Sequence, residues 1–336
     1  MNESVWTLYK SHNEQDYVME HVYQRAPLPF GIPSLDAALA PRDGTGGMPS
    51  GIPTVVAGEP GCGKSALATN AGYNGVFSGV LPMFFTIEMP RQMVISRMLS
   101  IHTRAIRDGE AARGVPERDR TRQVWWSTTG NVVRKNAGHM ITSEEEAVAY
   151  INDHWTDDPV ISAWYDFEAN VWPNMMVVDT YVDAGSGETS TALTADRICE
   201  MVENVIVSGY PNVFPIIDYL QLTLEGGEKE YEAVNHASSA YRELAKRYNI
   251  PLLLLSSMRN VNGAERKETP TLAQLKGSGN IGYDAGTVIV LRRDGEREDG
   301  PQGTETPVRA YVIKNRVGPP GAEVPLMFNG GLNAFR

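Results

Sequence analysis

The sequence predicts an α/β fold built around a largely parallel central sheet. Three observations carry that reading. Six short apolar runs, at 53–57, 83–87, 175–178, 213–217, 252–255 and 287–291, have strand length. Helix-forming stretches stand between several of them, as parallel strands require for their crossovers. A glycine-rich turn joins the first run directly to a helix.

The elements follow in order. Residues 1–26 read as a polar helix or loose arm, with Trp6, Tyr9, Tyr17, Val18, Val22 and Tyr23 as a partial apolar stripe. The strand at 53–57 leads through the glycine-rich turn into a helix over 64–77. The strand at 83–87 precedes a helix carrying Met93, Ile95, Met98 and Leu99. Helices at 195–207 and 233–248 flank the run at 213–217, where Pro215 argues against a central strand. The chain closes with 307–314, a Gly318-Pro319-Pro320-Gly321 turn and 323–328, which read as a hairpin. The expected organisation is an arm or linker helix over 1–27 and one domain over 28–336, interrupted by an insertion at 104–172.

That insertion breaks the alternation. It holds five of the six tryptophans, Trp125, Trp126, Trp155, Trp164 and Trp172. Residues 104–135 carry eight basic and four acidic side chains, whereas 136–172 carry eight acidic and no Lys or Arg. Two halves of opposite charge folding against each other around a small aromatic core account for this; a docking module is the sharper alternative.

Composition narrows the function classes. At 336 residues with 42% hydrophobic content the chain has length for a sizeable core. A formal charge of −11 excludes a protein that coats nucleic acid by bulk charge, so any such contact must be a local patch. Two cysteines, Cys62 and Cys199, build neither a disulfide framework nor a cysteine zinc site. The first ten residues lack signal-peptide character. The uncharged stretch 66–87 is broken by Asn70, Asn74, Ser78, Gly79 and Pro82, short of the roughly 20 apolar residues of a membrane span. The expectation is a cytoplasmic protein with no membrane contact.

Gly58-Glu59-Pro60-Gly61-Cys62-Gly63-Lys64-Ser65 fits G-x-x-x-x-G-K-[ST], between a predicted strand and a helix that continues through Ala66. Glycines let backbone N–H groups converge on phosphate oxygens, and the helix N-terminus adds partial positive charge. Lys64 then neutralises the β- and γ-phosphates, and Ser65 offers a hydroxyl to Mg²⁺. Cys62 is a loop residue with no implied chemistry. Such a site needs a carboxylate at the end of a buried strand, and Asp179 and Asp218 both qualify, periodicity alone preferring Asp179. Glu88, after the strand at 83–87, can activate water for attack on the γ-phosphate.

Taken in order, further segments resemble the RecA-like ATPase domain of DnaB-type replicative helicases. Phe30-Gly31-Ile32-Pro33-Ser34-Leu35-Asp36 resembles the family's lead-in to the P-loop. Phe85-Thr86-Ile87-Glu88-Met89-Pro90 with Arg97-Met98-Leu99 resembles its "SLEM" strand and helix, and Asp218-Tyr219-Leu220-Gln221-Leu222 matches "DYLQL". Lys276-Gly277-Ser278-Gly279-Asn280-Ile281 with Asp284-Ala285 resembles "RESGxIEQDAD", and Lys314-Asn315-Arg316-Val317-Gly318-Pro319 resembles "KQRNGP".

The resemblance implies an ATP- and Mg²⁺-dependent motor that moves on single-stranded DNA as a homo-oligomeric ring, a hexamer, with a primase or loader as further partner. It implies Asp218 as the metal-shell acid, bound through water, and Glu88 as general base. Lys314 and Arg316 become fingers reaching a neighbour's ATP, and Lys276, Gly277, Ser278 and Gly279 a DNA-contacting loop. The chain departs from the pattern at Ser257, where the family carries Gln, at Lys276 for Arg and at Gly277 for Glu. The loop 223–230 is acidic, and the resemblance does not extend to the family's separate N-terminal domain. A regulatory or recombination ATPase that binds DNA or a protein without unwinding is the alternative.

Overall fold

In the computed structural model the six predicted strands lie in one sheet. The described residues are 26–336 apart from 42–43, 122, 125–142, 155–158, 183–188, 191–192, 219, 221–229, 260–267, 277–278 and 301–302. The expected arm over 1–27 therefore falls almost wholly outside them, as do Trp125, Trp126, Trp155, Gly277, Ser278 and most of the acidic loop.

β1 (Thr54–Gly58) runs parallel between β8 (Thr287–Arg293) and β7 (Leu253–Ser257). Beyond β7 follow β6 (Val213–Asp218), β2 (Leu81–Thr86) and the edge strand β3 (Met176–Val178), all parallel. On the far side of β8 the sheet continues antiparallel through β10 (Gly303–Asn315), β11 (Glu323–Asn329) and β12 (Ala334–Phe335), with β9 (Glu298–Gly300) on β10. The predicted terminal hairpin is thus β10–β11. β4 (Tyr181–Val182) and β5 (Thr189–Ser190) form a separate small sheet.

Strand residues alternate between two cores because successive side chains leave opposite faces. On one face Val56, Phe84, Ile216, Leu255 and Ile289 pack with α1 (Pro33–Leu39), α2 (Lys64–Phe77), α3 (Arg91–Ala112) and α5 (Pro159–Asn170). On the other, Val55, Phe85, Ile217, Leu254 and Val290 pack with α6 (Ala195–Val207), α7 (Glu230–Tyr248) and α8 (Gly279–Asp284). α4 (Glu144–His154) completes the helices among the described residues. Covered on both sides, β1 and β6 are buried along their whole length, which explains their unbroken apolar runs.

Two expectations are corrected. Pro215 does sit in an interior strand: β6 pairs with β2 along its length, but its ladder to β7 begins only at Ile216, past the residue without an N–H. The tryptophans of 104–172 do not all form a core of their own. α3 runs through Arg104 without a break, and Trp164 and Trp172, 6.1 Å apart, pack against the main core beside the fully buried Phe167. His102 Nε2 meets Asp166 at 2.6 Å, and the Tyr73 hydroxyl meets His102 Nδ1 at 3.0 Å, which ties α5 through α3 to α2.

Candidate functional site

The parallel strands deliver their carboxyl ends to one edge, and the chain turns there from β1 into α2. The turn depends on glycine: Gly63 has φ +93°, and a Cβ on it would lie 2.7 Å from Phe335 Cζ. Gly63 is also the N-cap of α2 and offers no side chain to its first N–H groups, which leaves them for an anion. The Cys62 thiol is buried and donates to Glu59 O at 2.9 Å, and burial pushes its pKa up. Cys62 therefore shapes the loop rather than reacting. Lys64 Nζ donates to Gly58 O at 2.8 Å and Glu59 O at 3.2 Å, which holds the ammonium over the loop. Arg293 reaches the loop from β8, with Nη2 3.4 Å from Gly61 O.

Asp218 ends β6 almost fully buried. Burial raises its pKa, opposed by a hydrogen bond from the Ser65 hydroxyl and by the charges of Arg97 and Lys64, while Glu88 pushes it further up. Glu88 follows β2 on an exposed turn; Ile87 N donates to Asp218 O at 2.9 Å, which brings the two acids' segments together. The predicted acid Asp179 instead accepts Arg91 N at 3.0 Å, at the start of α3. A cleft of about 450 Å³ is lined by Pro60, Gly61, Gly63, Lys64, Ser65, Ala66, Glu88 and Ser257. A hydroxyl bonded to a carboxylate is a hard-oxygen pair that fits Mg²⁺, which keeps most of its waters and borrows phosphate oxygens. Among the described residues there is no cluster of three His, Cys, Asp or Glu to cage a metal, as this mode of binding requires none.

Sequence reasoning missed two contributors. Arg97 on α3 lines the cleft; burial lowers its pKa, opposed by Asp218 and Glu88. Nothing distinguishes it in sequence from other arginines of an amphipathic helix except its place in the family-like segment. Phe328, Gly330 and Asn333 add a wall from the C-terminal segment. Phe328 stacks on Phe335 at 4.8 Å, Asn333 Nδ2 donates to Thr69 Oγ1 at 2.5 Å, and Asn70 Nδ2 donates to Asn333 O at 2.7 Å. The Gly330-Gly331-Leu332-Asn333 turn was the available signal.

Lys314 and Arg316 lie elsewhere. Asn315, between them, pairs with Thr287, which pairs with Thr54 at the start of β1, whereas Gly58 pairs with Leu291 at the loop end. Four residues of strand, about 13 Å, separate the two levels. Lys276 is exposed and its N–H donates to Ser257 O at 2.9 Å; Gly279 opens α8. Gly277 and Ser278 fall outside the described residues.

The chain is similar to known proteins over most of its length. Residues 187–336 match the family model for the DnaB-like helicase C-terminal domain, and residues 28–107 match a KaiC ATPase model. The replicative DNA helicase DnaB of Leifsonia xyli subsp. xyli is 27% identical over 312 residues, 92% of this chain and 55% of that protein. The one of Treponema pallidum is 25% identical over 295 residues, 87% of this chain and 53% of that protein. The chain thus spans about half the length of the curated relatives it matches. A solved structure of a DnaB-like replicative helicase, described with its interactions with primase, superposes with TM-score 0.63 at 17% identity over 97% of this chain and 68% of that one. A solved ATPase domain gives 0.61 at 16% identity over 96% and 94%.

Proposed function

The chain carries a RecA-like ATPase domain related to that of DnaB-type replicative helicases, and from that premise we propose an ATP-dependent helicase or translocase motor that works as a ring, a hexamer, on single-stranded DNA. One observation carries the ring. The phosphate loop and its acids stand at one end of the sheet and Lys314 and Arg316 at the other, which supports a reading in which a second copy brings the cations to the phosphates.

Lys64 and the loop N–H groups hold the β- and γ-phosphates, with Gly58 to Ala66 as the cradle. Mg²⁺ would be held by Ser65 and, through water, by Asp218, and supplies charge neutralisation on the phosphates when bound. Glu88 orients water and accepts its proton as the oxygen attacks the γ-phosphorus. The bond to the β-phosphate bridging oxygen breaks, ADP leaves and inorganic phosphate is released. Arg316 and Lys314 of the neighbouring copy stabilise the charge that develops. Phe328, which lines the cleft beside Gly63, offers a face to the base. Lys276 to Gly279 contact the DNA backbone without reading bases, so affinity falls as salt rises. A primase or loader is the further partner and the cytoplasm the location; among the described residues no helix is long and apolar enough to cross a membrane.

Ser257 favours a second reading. It lines the cleft where the family carries Gln, and a chain lacking that contact could hydrolyse ATP on DNA without unwinding. Displacement of a labelled strand from forked DNA decides between them: ATP-dependent release supports the helicase, and DNA-stimulated hydrolysis without release supports the second reading. Mixing Glu88→Gln with Arg316→Ala subunits tests the ring. Recovered ATPase activity is expected at hybrid interfaces, and none in demonstrably mixed rings would overturn it.

A further inference from the structure

Lys314 and Arg316 are engaged within their own chain. Lys314 Nζ donates to Gly282 O at 2.6 Å and Tyr283 O at 3.3 Å, and Arg316 Nη2 donates to Tyr283 O at 2.9 Å. These acceptors are closing carbonyls of α8, groups that a helix cannot satisfy internally. A cation there also meets the negative end of the helix. The rest of α8 is gripped by α7: Ser238 Oγ donates to Asp284 at 2.7 Å, Arg242 Nε lies 3.3 Å from the same carboxylate, and Ile281 is fully buried. α8 begins three positions after Lys276, and the Lys276 N–H is itself tied to Ser257 O. This short helix therefore lies three positions along the chain from the residue proposed to touch DNA, and its closing carbonyls meet the two cations proposed to touch a neighbour's nucleotide.

We propose that α8 is the joint between subunit interface and DNA contact, because Lys314 and Arg316 are shared between its closing carbonyls and the phosphates of a neighbouring copy's nucleotide. This rests on the motor reading above and adds the link that the reading lacks. Hydrogen bonds from a cation to a charged phosphate oxygen are stronger than those to a neutral carbonyl. A nucleotide at the interface draws the cations away, and the carboxyl end of α8 loses its caps. Desolvation and the charge of Arg316 push the Lys314 pKa down. Linkage makes the effect reciprocal: DNA that fixes α8 changes the availability of both cations to the interface.

A residue serving only as a finger has no influence on DNA when no nucleotide is present, and that separates the two roles. The experiment titrates the full chain and its Lys314→Met and Lys314→Arg variants with labelled oligothymidylate, first without nucleotide and then with Mg²⁺ and a non-hydrolysable ATP analogue. Without nucleotide, Lys314→Met is expected to bind two- to fivefold more weakly, the size of a lost helix-end cation. Lys314→Arg, which keeps charge and donors, is expected to retain the unmodified affinity. The shift produced by the analogue in the unmodified chain is expected to shrink in Lys314→Met. Unchanged nucleotide-free affinity in Lys314→Met overturns the inference and leaves the motor reading standing. An unmodified chain that binds no oligothymidylate overturns both.

Discussion

The two ends of the parallel strands are chemically unlike. At the carboxyl ends, the glycine loop, the N-terminus of α2, Lys64 and Glu88 line one cleft, with Asp218 buried beside Ser65. At the amino ends, Arg242, Lys246, Arg247 and Arg316 line a second cleft of about 730 Å³ with Glu243 as its acid. One end gathers the glycine loop, Lys64 and the two acids; the other carries several basic side chains and no phosphate loop of its own. Under the ring proposed above, a head-to-tail contact would bring the two ends together, and such heterologous contacts close into rings when the rotation permits.

Removing Arg316 is the most severe test of that division. Arg316→Ala is expected to lower steady-state ATP turnover by 10³-fold, on the order of the arginine-finger effect. Titration with a fluorescent ATP analogue should find isolated subunits binding nearly as before. Parallel loss of binding would put Arg316 in its own subunit's site and dissolve the contrast between the ends. Glu88→Gln keeps shape and loses the base, and turnover should fall by about 10³-fold, within the general-base range, with the analogue still bound. Turnover at the unmodified rate would remove Glu88 from the chemistry.

Smaller effects test whether damage outside both ends imitates either. Phe167→Ala should lower stability by about 3 kcal/mol, because it empties a fully buried site in the core beneath α2 and α3. An unchanged thermal midpoint would mean that α5 is a separable module. Thr194 caps α6, its side chain accepting Arg197 N at 3.3 Å; Thr194→Ala should cost about 1 kcal/mol and leave ATP turnover below the melting range unaltered. A collapse of turnover there would show that the clefts respond to any local loosening.

The carboxyl end was legible because its chemistry is local. The loop from Gly58 to Ser65 carries its own geometry, and the strands ending near Glu88 and at Asp218 announce themselves by apolar runs between helices. Pro215 misled because strand rules speak of ladders on both sides, whereas β6 begins its second ladder only after that residue. Periodicity also favoured Asp179, since nothing in a run of apolar residues tells an edge strand such as β3 from an interior one. The wall made by Phe328 and Asn333 was marked only by the turn at 330–333, for a different reason. It depends on contacts such as Asn70 with Asn333, 263 positions apart, which no local pattern records. Opposite placement of Arg316 and the loop emerged only from strand register, once β10 was seen to pair backwards along β8.

The same distant pairing orders events during synthesis. Domains tend to fold from their N-terminal parts as the chain emerges, and the loop, α2 and the strands up to β6 are made long before the Phe328 wall. A nascent chain ending after β6 lacks both neighbours of β1, β7 and β8, and leaves the phosphate loop open toward the unmade wall, with Asn70 lacking the carbonyl it holds in the finished fold. Closing that side requires contacts of high sequence separation, the slow kind. The cleft gains its Phe328, Gly330 and Asn333 wall only when the hairpin has docked, so nucleotide binding should favour the completed chain over shorter intermediates.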